Sequence, residues 1–264
     1  MSETLKALLL GDIIGQPGCR ALFLGLKKLR KDFGADLVVA NGENSADGFG
    51  ILPETANMII DAGVDVITSG NHVWQKKDIY PYLDSSKKIL RPANYPPGVP
   101  GNGWTLIELR GMKVGVINLQ GRDDLPPIDC PFRTGRDLVR KIRQETPVIL
   151  VDFHAENPEE KEALGLYLDG SISCLVGTHT HVQTADERIL PKGTAYITDL
   201  GMTGPANSVI GVEKEIAVRR SLTQLPIKME VADNTAWICG VAVEIETATG
   251  RARSIERIMV ESRL

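Results

Sequence analysis

Short apolar runs that each stop at a compact polar group are the feature that most constrains this chain. Ala7-Leu-Leu-Leu10 stops at Gly-Asp12, and Leu37-Val-Val-Ala40 at Asn-Gly-Glu43-Asn44. Val64 to Thr68 leads into Gly-Asn71-His72, Val148-Ile-Leu-Val151 into Asp152-Phe-His154, and Cys174-Leu-Val176 into Gly-Thr-His179-Thr-His181. Apolar runs this short, without polar interruption, read as strands buried on both faces, so each polar group falls where a strand gives way to a loop. All four histidines of the chain lie in these groups. Imidazole used as general filler would be scattered over surface and core; gathered like this, it has the pattern of a metal centre built along one sheet edge.

With 264 residues and 42% hydrophobic content, the chain can bury a core without disulfides or structural metal, and a single domain over 1–264 is expected. The net charge of -4 is modest and the basic residues form no dense run, which argues against a duplex nucleic-acid partner. Cys19, Cys130, Cys174 and Cys239 show no Cys-x-x-Cys spacing, and the N-terminal segment is too soon interrupted for a secretory leader or a membrane span. A cytoplasmic protein with reduced thiols and no membrane partner is expected. A homo-oligomer stays open.

Helix and strand signals alternate through the first two-thirds. Gln16-Pro17 suits a helix start with proline at the first helical position, and Leu22, Leu26 and Leu29 follow at helical spacing. Strands are expected at 36–41, 64–68 and 148–153, with a helix at 53–61. Asn157-Pro-Glu-Glu160 suits a reciprocal helix cap. The segments 104–109, 113–119, 194–198, 236–246 and 253–260 read as strands with few helices between them. Alternating units followed by a strand-rich remainder imply an α/β fold of two packed sheets with helices outside.

In chain order the candidate site residues are Asp12, Glu43, Asn44, Asn71, His72, His154, His179 and His181. The motifs Gly-Asp, Gly-Glu-Asn, Gly-Asn-His, His and Gly-Thr-His-Thr-His resemble a metallophosphoesterase. Within that superfamily the chain is most similar to the YmdB-like bacterial cyclic-nucleotide phosphodiesterases. Gly-Asp12-Ile-Ile-Gly-Gln-Pro-Gly, Asn41-Gly-Glu43-Asn44-Ser-Ala, Gly-Asn71-His72-Val-Trp, Arg91-Pro-Ala-Asn-Tyr and Asp152-Phe-His154-Ala-Glu carry the likeness, with Gly-Thr-His179-Thr-His181-Val, Thr184-Ala-Asp186-Glu-Arg-Ile-Leu and Gly201-Met-Thr-Gly-Pro.

The resemblance implies a sandwich of two mixed β-sheets flanked by helices, α/β/β/α, and a pair of divalent ions, iron or manganese. It puts Asp12, Glu43, Asn44 and His181 on one ion and Glu43, Asn71, His154 and His179 on the other. Many metallophosphoesterases begin Asp-x-His; here Ile14 takes the histidine's place, and the resemblance implies that Asn44 replaces that ligand. Two ions about 3.5–4 Å apart need a bridging carboxylate, for which Glu43 is the natural candidate, and can hold a hydroxide and the phosphoryl oxygens between them. A set of oxygen and imidazole donors without thiolate excludes a closed cysteine-type zinc site and allows manganese, iron, zinc or cobalt.

His72 directly follows a candidate ligand, and neighbours in a strand-end loop rarely serve the same ion. It is therefore expected to act as the general acid that protonates an alkoxide leaving group. His179 and His181 would share a face if their strand ran on through them. Asp152 and Asp186 either orient histidines or cap turns. Gly48-Phe-Gly50, the Arg91–Pro100 loop, Arg133 and the Gly201–Gly211 segment are candidate pocket walls. Trp74 either stacks on a base or joins the core, the core being preferred. The resemblance implies hydrolysis of small cyclic nucleotides, 2',3'-cyclic best. A phosphomonoesterase or nuclease using the same centre, and a regulatory nucleotide-binding protein whose hydrolysis is incidental, are the alternatives.

Overall fold

The computed structural model describes residues 4–262. In chain order its strands are β1 (Thr4–Leu10), β2 (Asp12–Ile13), β3 (Leu37–Asn41), β4 (Val66–Thr68), β5 (Trp104–Leu109), β6 (Met112–Gln120), β7 (Ile149–His154), β8 (Cys174–Thr178), β9 (Arg188–Ile189), β10 (Ala195–Ile197), β11 (Met202–Pro205), β12 (Ala236–Glu246) and β13 (Ala252–Ser262). The helices are α1 (Gly15–Phe33), α2 (Pro53–Asp61), α3 (Tyr80–Ser85), α4 (Pro131–Ile142), α5 (Pro158–Leu168) and α6 (Lys214–Thr223).

The strands form two mixed sheets. One runs β2-β11-β12-β1-β3-β4 with β13 on β12, and the other runs β5-β6-β7-β8-β10-β9. The strands that carry the site are parallel within each sheet: β1 with β3 and β3 with β4 in the first, β6 with β7 and β7 with β8 in the second. Alternate side chains of each strand point to opposite faces, so a run apolar at every position feeds two interfaces at once. Ala7, Leu9, Leu37 and Val39 meet Val116, Leu150 and Val176 between the sheets. Leu8, Leu10, Val38 and Ala40 pack outward under Leu22 and Leu26 of α1 and Ala56 and Ile59 of α2. On the far side Ile117, Val151, Phe153 and Leu175 pack under α4 and α5. The layers are therefore α/β/β/α, as the resemblance implied.

Local starts and stops differ in places from those expected. Helix α1 begins at Gly15, with Pro17 in its first turn rather than at its first position, and ends at Gly34, whose φ of 62° turns its N–H back to the carbonyls of Arg30 and Lys31. Asn157 does cap α5, accepting from the Glu159 N–H at 2.8 Å. The reciprocal half of that cap is absent: the Glu160 carboxylate accepts from the N–H groups of Arg122 and Asp123 instead. Helices α4 and α6 interrupt the strand-rich stretches, so that part of the chain is less purely β than its pattern implied. No described helix is long and apolar enough to cross a membrane.

Candidate metal centre

Parallel alignment brings the polar ends of β1, β3 and β4 to the same edge as those of β7 and β8. Each strand is held in register by its neighbours, so the residue after its last ladder bond has little freedom. Two asparagines tie the sheets together there. Asn41 accepts from the Glu43 N–H at 3.1 Å and donates across the gap to Asp152 Oδ2 at 3.1 Å. Asn118 of β6 exchanges two 2.9 Å bonds with the backbone of Ser69. Both are fully buried; Asn41 opens the Asn-Gly-Glu-Asn motif without having been a candidate site residue, and for Asn118 a polar residue inside an apolar strand is the available signal.

The candidate donors converge. His154 Nε2 lies 3.2 Å from Glu43 Oε1, 3.0 Å from Asn71 Oδ1 and 3.0 Å from His179 Nδ1. Glu43 Oε1 is also 3.3 Å from Asn44 Nδ2, which is 3.2 Å from His181 Nε2; that nitrogen is in turn 3.9 Å from Asp12 Oδ1. One carboxylate oxygen thus belongs to two groups of donors. Asn44 turns its amide nitrogen to Glu43 and His181 and its oxygen to His72, so it would enter a metal's coordination sphere only after its amide turns over. Ile14 is buried, makes a parallel bridge with Asn44 and offers no donor.

Outer contacts aim the rings. The Thr178 hydroxyl donates to Asp152 Oδ1 at 2.8 Å and stands 3.0 Å from His154 Nδ1, so it accepts that ring's N–H and keeps Nε2 turned toward the cluster. Asp152 also receives Asn41 and the Thr68 hydroxyl, which makes it an orienting group. Asp186 instead accepts from Thr184, Thr198 and Arg188 and stabilises a turn. His179 Nε2 donates to Glu156 at 3.0 Å, and His181 Nδ1 to the Ile210 carbonyl at 2.9 Å.

The expected strand through His179 and His181 is not formed. Strand β8 stops at Thr178, and both histidines have left-handed backbone, φ 104° and 65°. Their approach comes from this folded-back loop rather than from alternation along a strand. Asp199, buried and paired at 2.8 Å with the fully buried Lys161, accepts the N–H of Thr180 between them at 3.2 Å and so fixes the loop. Neither Lys161 nor Asp199 stands out in the sequence, where lysine reads as surface.

The charges inside this cluster act strongly on one another. Burial pushes Asp12 above the usual carboxylate range despite His181 and His154 nearby, and its Oδ1 has no hydrogen-bond partner. Burial alone would raise Glu43 too, but His154 and His72 hold it well below its ordinary value. Burial opposes charge on His154, yet Glu43 and Asp12 raise it to about 9, whereas burial and the neighbouring His154 push His179 down to about 3. Space is kept as well: a Cβ at Gly70 would fall on the His154 ring and the Glu43 carboxylate. Glu43, His154 and His179 present ligand atoms within 4.8 Å of one another.

A cavity of about 770 Å³ opens over the cluster. Of the expected walls, Gly48, Phe49, Ile210 and Gly211 line it; the Arg91–Pro100 loop and Arg133 do not. Arg91 is spent on the carbonyls of Pro92 and Pro100 within its own loop, and Arg133 sits on α4. Lys76, Glu156 and the segment Lys228–Val231 line it without having been foreseen. Trp74 packs edge-on against Tyr80 and Tyr95, beside the core, as preferred.

Comparison with known proteins matches this arrangement to one family: the model described as YmdB-like protein covers residues 8–258. The chain belongs to the YmdB-like family. It is 45% identical over 97% of both chains to the 2',3'-cyclic-nucleotide 2'-phosphodiesterase of Bacillus subtilis (strain 168). Two solved structures superpose closely. A novel phosphatase of Mycoplasma pneumoniae has a TM-score of 0.92 at 35% identity, covering 99% of this chain and 95% of its own. A hypothetical protein of Thermus thermophilus has a TM-score of 0.91 at 40% identity, covering 98% of this chain and 100% of its own.

Proposed function

We propose that this protein is a phosphodiesterase of cyclic nucleotides, 2',3'-cyclic nucleotides best, working through a pair of divalent cations. The shared position of Glu43 Oε1 between two donor groups carries the proposal, because a bridging carboxylate is what a two-cation site requires. The residues fit such a pair once the Asn44 amide turns over: Asp12, Glu43, Asn44 and His181 around one cation, Glu43, Asn71, His154 and His179 around the other, with the orphaned Asp12 oxygen and the bare Gly70 leaving charge and space for them. Oxygen and imidazole donors allow manganese, iron, zinc or cobalt, and the likeness to the YmdB-like family favours iron or manganese. Bound there, the cations would neutralise phosphoryl oxygens and lower the pKa of water enough to make it a nucleophile.

His72 has a separate task. Its Nδ1 donates to Asn44 Oδ1 at 2.7 Å and faces Glu43 Oε1 at 3.3 Å, its backbone N–H donates to Glu43 Oε2 at 3.2 Å, and its side chain is 23% exposed to the cavity. Held through Nδ1, with Glu43 the partner that remains once the Asn44 amide turns over, the ring in its doubly protonated form would give the Nε2 proton to the departing ribose oxygen. The described residues act as one domain, since both sheets supply the site, and the free thiols at Cys19, Cys130, Cys174 and Cys239 suit a reducing cytoplasm.

The test is metal analysis of the purified protein, with turnover of 2',3'- and 3',5'-cyclic mononucleotides, a simple phosphomonoester and short RNA compared at matched metal loading. Near-stoichiometric pairs of ions and preference for the 2',3'-cyclic ester are expected. Preference for the monoester or for RNA would replace this assignment with a phosphatase or a nuclease.

A further inference from the structure

We propose that Phe49 is a nucleobase platform, an assignment that rests on the cyclic-nucleotide proposal above and adds to it the part of the site that reads the base. Phe49 is an apolar ring held out to water by its loop. It is 45% exposed although large aromatic side chains gain most from burial. It sits in a tight loop closed at both ends, with the Ala46 N–H on the Gly50 carbonyl at 2.9 Å and the Phe49 N–H on the Ala46 carbonyl at 3.0 Å. Asp47, Gly48 and Gly50 all have left-handed backbone, φ 55°, 81° and 92°, a run that glycine at two of the three positions allows and that sets the course of the loop carrying the ring.

The ring points into the catalytic cavity. Its centroid is 4.3 Å from that of His72, the residue that faces the leaving oxygen, so it lies on the ribose side of the phosphate position. The donor cluster accounts for the phosphate alone, while the cavity of about 770 Å³ falls in the range of roughly 300–1,000 Å³ that whole small-molecule ligands fill. Beyond His72 the wall carries an apolar patch, Ile210, Val212, Met229 and Val231 beside Phe49, flanked by the charged Asp47, Lys76, Lys228 and Glu230. Met229 and Ile210 are, like Phe49, about half exposed, at 55% and 49%. An exposed aromatic ring set in that patch, one ring away from His72, suits a purine or pyrimidine held by stacking. Every base has a π-face, so such a platform accepts all bases with little preference.

The experiment compares Phe49→Leu, which keeps apolar bulk but removes the ring, and Phe49→Trp, which keeps a stacking face, on a 2',3'-cyclic nucleotide and on glycerol 1,2-cyclic phosphate, which has the same reacting ester and no base. Phe49→Leu is expected to lower kcat/KM for the nucleotide roughly 10- to 100-fold more than for the glycerol ester, mainly through KM, and Phe49→Trp to restore it. Calorimetric affinity for a nucleoside 3'-monophosphate should weaken in parallel, while metal content stays unchanged. Equal loss on both esters would overturn the platform and make Phe49 a packing support for His72. Wild-type protein inactive on both esters would instead overturn the phosphodiesterase assignment itself.

Discussion

At the scale of single residues, the centre is a set of side chains whose freedom has been removed by their neighbours. His154 is aimed through Thr178 and Asp152, His179 through Glu156 and His181 through the Ile210 carbonyl, so each ring keeps one nitrogen inward. Asn71 and His72, adjacent in sequence, diverge: one meets His154, the other Asn44 and Glu43. That divergence predicts a separable effect. His72→Ala should keep its full metal content and lose roughly 100- to 10,000-fold in turnover of a cyclic nucleotide, whose leaving group is an alkoxide, and far less on an activated aryl phosphodiester. Equal losses on the two substrates, measured with metal content checked, would remove His72 from proton transfer.

At the scale of elements, the decisive device is the join between α5, the loop after β8 and the loop after β10. Lys161 of α5 and Asp199 are both buried, and Asp199 also receives the N–H groups of Thr180 and Gly201. A charge left alone in such a place costs about 3–5 kcal/mol, so Lys161→Met should destabilise the protein by that order in urea denaturation. Lys161→Met combined with Asp199→Asn should cost less than the sum of the two single changes, with a coupling of roughly 0.5–3 kcal/mol. Strict additivity would show that the pair does not act as a unit. The elements themselves are legible in the sequence to different degrees. The strands at 104–109 and 236–246 match their expected bounds to the residue because they are long and bounded by turn residues. Helices α4 and α6 are not legible in this way: the buried stripe of α4, Pro131, Gly135, Val139 and Ile142, keeps helical spacing but two of its four members are proline and glycine, and α6 buries none of its residues.

At the scale of the whole molecule, the centre is a seam. Asp12, Glu43, Asn44 and Asn71 come from the first sheet, His154, His179 and His181 from the second, and a bound cation pair would cross-link them. Ligands that bind only the folded state stabilise it by about 2.7 kcal/mol at a hundredfold excess over Kd. Chelation followed by re-addition of manganese should therefore move Tm down and back by roughly 5–10 °C, read by calorimetry, given about 2–4 °C per kcal/mol at this chain size. A Tm indifferent to saturating manganese would count against the seam.

The chain's own order of residues determined the donor types and the layers: five apolar runs ending in donors fold as buried parallel strands with their polar ends at one edge, because an unpaired donor is not tolerated inside a sheet. What it left open was decided by contacts between distant segments. The left-handed turn that brings His179 and His181 together, the Asn41 and Asn118 braces between sheets, the buried Lys161–Asp199 pair and the ring of Phe49 set beside His72 all depend on partners tens of residues away. Periodicity records which face of an element is apolar. It carries no information about which polar atom will be within hydrogen-bond reach once two sheets close on each other.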